Sequence, residues 1–598
     1  MLALVLILSL GIGAQWLAWR LRLPSILLLL LFGILAGPIF HLFDPDKLLG
    51  AALLPAVSLS VAVILFEGGM TLRAADLTHV GPTVRNLVSV GAAVTWIVSG
   101  LAARYLLALP WPLAILLGAI LVVTGPTVIG PLLRHVRPVG PVGPALRWEG
   151  IVIDPIGALL AVLVFEAIGG PLRHTAPLVA AQVARTALAG GGIGLASALF
   201  LSLLFRRFWV PDYLETPLTF VAVAAAFVGS NRLQPESGLF AVTTMGIALA
   251  NQKSLVVHHI AEFKENLSIL LVSSLFILLA ARLDLRAVAR VWPRGLAFTA
   301  VLILLARPLA VAASTAGSPL SWRERAFLAW MAPRGIVAAS VSSVFALRLA
   351  GRGFADADLL LSYTFFVIVV TVIVYGLSAG PLARILGLAN PGNRGVLFVG
   401  AHALARALAR VLQEDGHQVL LVDTNRANIQ AARLAGLPVL AASALSGFVL
   451  DKIELTGIGR LLAMTPNEEV NALAAVHFAR VFGRSEVYEL ATPAPDSARK
   501  EKTPWALRGR VLFHPDMNYQ ALQRLLDQGY VIKKTRLTPE FDFTAFQSHH
   551  GGRAVPLLVV NEAGQAAPVT ADAPATPRAN QTLVTLAPPQ SERTDSPA

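Results

Sequence analysis

The first two thirds of the chain consist of long apolar runs separated by short polar loops. About thirteen such runs, of roughly 17 to 30 residues each, precede Asn390. Each is long enough to cross a hydrocarbon core about 30 Å thick, and a helix satisfies its own backbone hydrogen bonds in lipid. The pattern predicts an α-helical polytopic membrane domain over 1–390. The runs are 2–18, 23–42, 50–70, 84–106, 111–134, 146–169, 176–205, 213–231, 236–251, 264–281, 292–314, 323–349 and 357–388.

The loop charges predict how these helices lie in the bilayer. Arginine and lysine concentrate in the loops that share a side with the end of the last run, which favours an external N-terminus and a cytoplasmic C-terminus. One loop, with Arg282, Arg286, Arg290 and Arg294, breaks this pattern. The first run lacks a basic segment and a small-residue cleavage site, so we expect a retained helix. The prediction is a multi-pass inner-membrane protein in contact with a lipid bilayer.

After Gly395 short apolar strands alternate with amphipathic helices, an order typical of a parallel sheet. This order predicts a cytoplasmic, Rossmann-like α/β domain over 395–490. We expect its strands at 396–399, 418–422, 438–442, 459–464 and 486–490, and its helices at 402–413, 426–434, 446–455 and 467–482.

The remaining residues predict a smaller α/β subdomain over 505–587. Its expected elements are a helix at 518–528 and strands at 554–560 and 582–586. The Ala/Pro/Thr-rich segment 564–580 resembles a linker, and we expect the tail 588–598 to be disordered.

Composition narrows the function. Of 598 residues only 14% are charged, against about 25% in soluble domains. This excludes a purely soluble enzyme and a disordered protein, and it argues against a nucleic-acid partner despite the net charge of +13. The chain has no cysteine, so disulfides and thiolate metal sites are excluded.

A few ionisable residues lie inside the apolar runs, where each costs about 2.5–3.5 kcal/mol or more. Carboxylates and arginines without histidine or thiol groups suit a hard monovalent cation or a proton, and no resident metal cofactor is expected. No nucleophile–base pair indicates an enzyme. The set is Glu67, Glu149, Asp154, Glu166, Arg185, Arg307 and Arg334.

Asp154 is the leading candidate for a cation- and proton-binding residue. Pro155 follows it and frees the carbonyl of Ile151, which would help to replace a cation's hydration shell. The alternative is a structural pair between Asp154 and an arginine. Glu149 lies roughly 140° round the helix from Asp154, so the two need not share a face, and it is better interpreted as half of a structural ion pair.

Two runs are interrupted by glycine and proline. Thr124-Gly125-Pro126 breaks the fifth run, and Pro333-Arg334-Gly335 breaks the twelfth. Such breaks expose backbone carbonyls to a binding site, and their matching positions predict inverted repeats of six helices. The alternative is a pair of ordinary kinks.

The other charged positions are less specific. Glu67, at the end of the third run, either contacts the cation site or lies at the membrane interface. We interpret Glu166, Arg185 and Arg307 as structural or interfacial residues.

The membrane half resembles the sodium/proton exchanger branch of the cation:proton antiporter superfamily. The resemblance covers about 1–388 and is carried by four motifs. It implies thirteen spans, a homodimer and alternating access of a core domain. It also implies that Asp154 binds cation and proton alternately, that Thr124 helps to coordinate, and that Arg334 pairs with Glu149. The motifs are Phe66-Glu67-Gly68-Gly69, Thr124-Gly125-Pro126, Glu149 to Asp154, and Pro333-Arg334-Gly335-Ile336-Val337.

The chain departs from that family pattern at three polar positions. Gly150 stands at a serine position, Ile153 at an asparagine position and Gly125 at an aspartate position. One titrating carboxylate remains, which supports electroneutral, one-for-one exchange.

The soluble half resembles the RCK domain that regulates potassium channels and transporters. Gly400 is the first glycine of a G-x-G-x-x-G phosphate loop, and Asp423 ends the second strand, where an acid can bond a ribose. His402 replaces the second glycine. Two alternatives follow: a regulatory nucleotide at Gly400 and Asp423, or a degenerate domain used for dimerisation or another regulator.

These observations predict a monovalent cation:proton antiporter, with Na⁺/H⁺ exchange favoured and K⁺/H⁺ exchange as the alternative. Alternatives of another class are a cation channel gated by the RCK-like domain and a non-transporting membrane sensor. A channel needs no titrating carboxylate and passes current, whereas an electroneutral exchanger does not.

Overall fold

The computed structural model describes most of the chain in two compact units, Met1–Ala389 and Asn390–Ala598. Each unit is described by itself. The description covers residues 2–589 except 22, 137, 170–175, 253–257, 284, 352, 353, 355, 390–394, 447, 448, 450–456, 493–507, 563 and 575.

The regular elements described in the first unit are all helices. Its helices are α1 Leu2–Leu21, α2 Ser25–Ile34, α3 Pro45–Leu49, α4 Leu53–Met70, α5 Leu77–Asn86, α6 Ala92–Leu106, α7 Trp111–Ile120, α8 Pro126–Val136, α9 Val142–Gly169, α10 Ala176–Arg206, α11 Asp212–Leu233, α12 Ser237–Ala250, α13 His258–Ala281, α14 Leu285–Val301, α15 Arg307–Ser314, α16 Trp322–Trp330, α17 Ile336–Ala350 and α18 Ala357–Ile385. Single π-helical turns extend three of them, at Leu35–Ile39, Leu87–Gly91 and Leu302–Ala306.

The helices reproduce the predicted apolar runs. Among the described residues, seven helical segments are long and apolar enough to cross a bilayer, and Pro45–Met70 adds an eighth that is bent by 79°. Five shorter apolar helices occupy the remaining runs. Two of these belong to interrupted runs, each of which divides into two helices, α7 with α8 and α16 with α17.

Glycines allow close helix crossings around the long helix α9. Gly68 on α4 lies against the side chain of Ile151 on α9, and a Cβ at that glycine would stand 3.3 Å from it. Next to it, a Cβ at Gly69 would stand 2.8 Å from the carbonyl oxygen of Thr243 on α12. Small residues at such crossings let helices pack closely without a hydrophobic driving force in lipid. They hold α4 against both α9 and α12.

The second unit contains two sheets. Its strands are β1 Gly395–Val399, β2 Val419–Asp423, β3 Val439–Ala441, β4 Ile458–Ala463, β5 Val487–Glu489, β6 Arg510–Val511, β7 Val531–Arg536, β8 Val555–Val560, β9 Ala566–Pro568 and β10 Thr582–Ala587. Its helices are α19 Ala403–Glu414, α20 Arg426–Leu434, α21 Glu468–Phe482, α22 Tyr519–Asp527 and α23 Phe543–His549.

The first sheet is parallel, with strand order β3-β2-β1-β4-β5-β6. This is the doubly wound arrangement expected for a Rossmann-like domain. The second sheet is antiparallel, with order β7-β10-β8-β9. One apolar core joins the two, because Phe398 of β1, Leu557 of β8 and Val584 of β10 belong to the same buried cluster.

The structure corrects the predicted C-terminal part at two places. Arg510–Val511 extends the first sheet beside β5, so the predicted subdomain 505–587 is not separate from it. Ala566–Pro568, inside the predicted linker 564–580, pairs with β8 as an edge strand. The predicted helix 446–455 lies mostly, and the predicted disordered tail 588–598 almost entirely, outside the described residues.

Candidate functional site

Asp154 lies on the face of α9 that packs against the break between α7 and α8. Gly150, Asp154 and Gly157 follow one another at helical spacing, so they share one face. A Cβ at Gly150 would stand 3.7 Å from the carbonyl oxygen of Thr124, and one at Gly157 would overlap a methyl group of Val123. Asp154 is therefore held between two glycines that bring the break close to α9.

The two broken helices cross at their glycines. The amide of Gly125 donates a hydrogen bond to the carbonyl of Pro333, at 3.0 Å. A Cβ on Gly125 would overlap the Cα of Gly335, and the reverse also holds. Since no side chain fits between the two backbones, both positions require glycine. The breaks at Gly125-Pro126 and Pro333-Gly335, predicted from two distant segments, form one crossing.

Buried oxygens without partners collect at this crossing. Asp154 is 0% exposed, and neither of its carboxylate oxygens has a hydrogen-bond partner. The hydroxyls of Thr124 and Thr127 are also buried and unpartnered. Buried polar groups are normally hydrogen-bonded, so these oxygens are available to water, a proton or an ion. Carboxylate and hydroxyl oxygens are ligands for a hard cation.

The ion pair of Glu149 differs from the expected one. The guanidinium of Arg307 donates to both carboxylate oxygens of Glu149, with Nη2 at 2.8 Å from Oε2. Its Nε donates to the carbonyl of Leu328, at 2.9 Å. Arg307, on α15, therefore ties α9 to α16. The prediction that Arg334 pairs with Glu149 was wrong, because Arg307 donates to both carboxylate oxygens of Glu149 in bidentate geometry.

Arg334 instead binds the first break. Its Nη1 donates to the carbonyls of Val122 and Val123, at 3.2 and 3.1 Å. Its own amide donates to the hydroxyl of Thr371, at 3.3 Å. The arginine of one broken helix thus satisfies carbonyls that the other broken helix exposes, and it fixes the crossing.

The other expected charged residues lie away from this crossing or at its edge. Glu67 is half-buried on α4, next to the glycine that contacts α9. Glu166 is exposed on α9 and accepts a hydrogen bond from Gln182, at 2.7 Å. Arg185 is exposed on α10. Ile153 packs with Ala92 and Val122 in an apolar cluster.

Sequence reasoning missed the buried, unpartnered hydroxyl of Thr127 at the crossing and Arg307 as the partner of Glu149. Thr127 follows the breaking proline directly, which was the available signal: the first residues of a helix have no preceding turn to bond. For Arg307 there was no local signal, since it lies 158 positions from Glu149.

The phosphate-loop candidate of the second unit is closed by its own residues. Gly400 has φ +106°, a conformation that favours glycine. His402 is buried, with its Nε2 2.7 Å from the carbonyl of Met464 and its ring edge-on to Tyr519 at 5.0 Å. Burial lowers the pKa of His402, and the neutral ring donates from Nε2.

Both carboxylate oxygens of Asp423 also accept hydrogen bonds from the chain itself. One of its oxygens accepts from the amide of Ala401 at 2.7 Å and from the side-chain amide of Asn428 at 3.0 Å. The other accepts from the amide of Asn425, at 2.8 Å. A ribose would have to displace these donors, and a pyrophosphate would meet the imidazole of His402. The loop as folded does not fit a dinucleotide.

Comparison with known proteins identifies the class of the chain. Residues 4–385 match the model of the transmembrane sodium/hydrogen exchanger family. Because the match covers more than half of the chain, the protein belongs to the sodium/hydrogen exchanger family. Residues 396–495 match the TrkA-N domain. The chain is therefore a multi-span helical membrane protein with a C-terminal Rossmann-like domain.

The relatives include proteins named as Na(+)/H(+) antiporters and others named as K(+)/H(+) antiporters. Na(+)/H(+) antiporter 1 of Methanocaldococcus jannaschii is 28% identical over 417 residues, which cover 64% of this chain and 96% of that protein. The K(+)/H(+) antiporter NhaP2 of Shewanella sp. (strain MR-4) is 28% identical over 377 residues, 62% of this chain and 64% of that protein. The chain spans just under two thirds of the length of this second relative.

A solved structure has a similar fold. The sodium proton antiporter MjNhaP1 from Methanocaldococcus jannaschii, at pH 8, superposes with a TM-score of 0.56 and 26% sequence identity. The superposition covers 64% of this chain and 97% of that chain.

Proposed function

We propose that this protein exchanges a monovalent cation for protons across the membrane, with Asp154 as the residue that carries both. The supporting observation is a fully buried carboxylate with two unpartnered oxygens, on the helix face that meets two crossing breaks. A carboxylate at such a place binds either a proton or a cation, and each excludes the other. Moving each form across couples the two gradients without ATP.

Exchange is one-for-one and electroneutral in this proposal. A single carboxylate alternates between its protonated form and its cation-bound form, and both forms are neutral. Ile153 has no ionisable group and supplies no second charge, and it packs in an apolar cluster. Sodium is the favoured cation and potassium the alternative, and relatives of both names support a monovalent cation.

Glu67 and Thr124 complete the proposed cation path. The hydroxyl of Thr124 lies at the break without a partner, where it can bind the cation directly. Glu67 lies on α4 beside the contact with α9 and would attract cations toward that helix. Glu149 and Arg307 act as a structural pair.

The proposed assembly is a homodimer in the inner membrane, with the N-terminus outside and the C-terminus in the cytoplasm. Large apolar side chains such as Trp16, Trp19 and Leu188 are exposed on α1 and α10, as expected for surfaces that face lipid or a second copy. The absence of cysteine allows a direct test of orientation. In single-cysteine variants, an impermeant maleimide should label Lys47→Cys in intact cells and Ala75→Cys only after the membrane is opened.

We further propose that the second unit binds no dinucleotide and acts as a degenerate domain for dimerisation or another regulator. The saturation of Asp423 and the position of His402 support this. Titration calorimetry of the full-length protein with NAD⁺, NADH and ATP should show no saturable heat. Micromolar binding of any of them would contradict it.

Proton flux in proteoliposomes tests the proposed exchange. A pH gradient is imposed across vesicles that hold the full-length protein, and sodium and then potassium are added. One cation should dissipate the gradient, and a potassium-selective ionophore that clamps the membrane potential should leave the rate unchanged. Asp154→Asn should abolish the response, while Glu166→Gln, an exposed carboxylate on the same helix, should keep it.

Three outcomes would contradict the proposal. Undiminished exchange by Asp154→Asn would remove that residue as the carrier. No response to either cation over a wide pH range would favour a non-transporting sensor. Cation current under voltage clamp, without proton movement, would favour a channel.

A further inference from the structure

We infer that Thr127 is a cation-binding residue that contributes to the cation's affinity through its side-chain hydroxyl. This inference rests on the proposed exchange at Asp154 and adds a second hydroxyl, with Thr124, to its oxygen ligands. Thr127 is 6% exposed, and its Oγ1 has no hydrogen-bond partner.

The other threonines of the membrane unit show how unusual this is. A threonine inside a helix normally donates its hydroxyl to the carbonyl four residues earlier. Six described threonines of the first unit do so, at 2.7 to 3.0 Å. They are Thr186, Thr219, Thr243, Thr299, Thr315 and Thr364.

Thr127 does not make this hydrogen bond because of its place in the chain. It is the second residue of α8, and the residue four positions earlier, Val123, lies before the break. The carbonyl of Val123 accepts from Arg334 instead. Among the described residues of the first unit, the buried threonine hydroxyls without a partner are those of Thr124 and Thr127, one on each side of Gly125-Pro126.

The position of Thr127 fits a ligand at the crossing. A Cβ on Gly335 would stand 3.4 Å from the Oγ1 of Thr127, so the hydroxyl lies against the backbone of the second break. The preceding residue, Pro126, would stand 3.8 Å from a Cβ on Gly150, on the face of α9 that carries Asp154. Thr127 thus contacts the second break, and the residue before it lies next to the face of α9 that carries Asp154.

Three backbone carbonyls at the break accept hydrogen bonds from the chain itself, which increases the need for side-chain oxygens. Those of Val122 and Val123 accept from Arg334. That of Gly125 accepts from the amides of Val128 and Ile129, at 3.1 and 3.0 Å. A hard cation that loses its water here needs several oxygens. Asp154, Thr124 and Thr127 offer unpartnered ones.

The test compares Thr127→Val, which keeps the shape and removes the hydroxyl, with Thr127→Ser, which keeps the hydroxyl. The matched control is Thr364→Val, since Thr364 is buried and bonds the carbonyl of Leu360 at 2.8 Å. Sodium and potassium are titrated against proton flux in proteoliposomes at one pH, for each full-length variant and the wild type.

We expect Thr127→Val to raise the apparent KM for the transported cation about tenfold or more, as the loss of one bond to a charged ligand would. Its maximal rate should stay within about twofold, since Asp154 is intact. Thr127→Ser and Thr364→Val should keep the wild-type KM. If Thr127→Val is not monodisperse in detergent, Thr127→Ala carries the same test without adding volume.

Two results separate this inference from the proposed function. An active wild type with an unchanged KM in Thr127→Val would overturn the role of Thr127 and leave the exchange proposal standing. A wild type that exchanges neither cation would overturn both. An equal KM increase in Thr364→Val would also overturn the inference, since the effect would then be general helix damage.

Discussion

Asp154 and Asp423 both stand at candidate ligand sites, but their surroundings are opposite. Asp154, in the membrane unit, is fully buried with neither oxygen bonded. Asp423, in the second unit, accepts three hydrogen bonds from its own loop and helix. A group that the fold leaves unsatisfied is available to a ligand, whereas a saturated group stabilises the fold. The comparison therefore separates a carboxylate that is available to a ligand from a structural one.

Glu149 extends the comparison within the membrane unit. It lies five positions before Asp154 on the same helix, yet Arg307 bonds both of its oxygens. Two buried carboxylates on one helix thus differ in their hydrogen bonding, because only one of them is bonded to an arginine. Their variants should separate stability from transport.

The largest expected effect is on the free energy of unfolding and comes from the ion pair between Glu149 and Arg307. Arg307→Met should lower the free energy of unfolding by about 3–5 kcal/mol, because it leaves Glu149 buried without its partner. The double variant Arg307→Met with Glu149→Gln should recover much of that loss. Thermal unfolding of the purified proteins in detergent ranks the stability of the wild type, the Arg307 variant and the double variant. A double variant less stable than the Arg307 variant would show that the pair is net stabilising beyond its charge balance.

A smaller loss is expected at Asp423. Asp423→Ala removes a carboxylate that accepts three hydrogen bonds, which should cost about 2–4 kcal/mol in the second unit. Hydrogen exchange of β1 and α20 in the full-length protein measures it. Cation exchange should remain. A variant with unchanged exchange protection would contradict the structural role of Asp423.

At Asp154 the expected effect on stability is smaller and of opposite sign. In buffer without sodium or potassium, Asp154→Asn should be as stable as the wild type or up to about 1 kcal/mol more stable, since an unpaired buried carboxylate is costly. Thermal unfolding under the same conditions measures the difference. A clear loss of stability would indicate that Asp154 has a partner within the chain.

Glu489, at the end of β5, is expected to make the stability of the second unit depend on pH. Burial raises the pKa of its carboxyl to about 7, although the amide of Gly509 and the charge of Arg508 act in the opposite direction. The folded unit therefore binds a proton more tightly than the unfolded chain. Its stability should fall as the pH rises from about 4.5 to 7 and stay lower above that, by about 1 kcal/mol or more.

Glu489→Gln should remove this part of the pH dependence. The measurement is hydrogen exchange of β5 in the full-length protein at pH 5 and pH 8, corrected for the intrinsic effect of pH on exchange. The same pH dependence in the variant and the wild type would show that Glu489 titrates at its ordinary pKa.

Much of the architecture followed from local sequence patterns. The thirteen apolar runs each contain a spanning or shorter apolar helix, and five strands of the first sheet lie where alternation with helices put them. The breaks at Gly125-Pro126 and Pro333-Gly335 could also be predicted from the sequence, because proline and glycine disrupt a helix within one turn. The linker predicted from composition over 564–580 was wrong at Ala566–Pro568, because this short strand forms by pairing with β8.

Side-chain partners could not be found in this way. Glu149 and Asp154 look alike in the sequence, as buried acids on one apolar helix, and Arg307 and Arg334 look alike as buried bases. Which arginine meets Glu149 depends on how α15 and the break before α17 pack against α9. A family resemblance suggested Arg334, and the bidentate contact of Arg307 corrected it.

The sequence by itself determined the membrane unit, the Rossmann-like unit, the two breaks and Asp154 as a candidate, because hydropathy and backbone restrictions act between near neighbours in the chain. Only the tertiary structure decided that Gly125 and Gly335 meet, that His402 fills the phosphate loop and that Thr127 has no partner. Each of those results depends on distances between atoms far apart in sequence, set by the packing of whole helices.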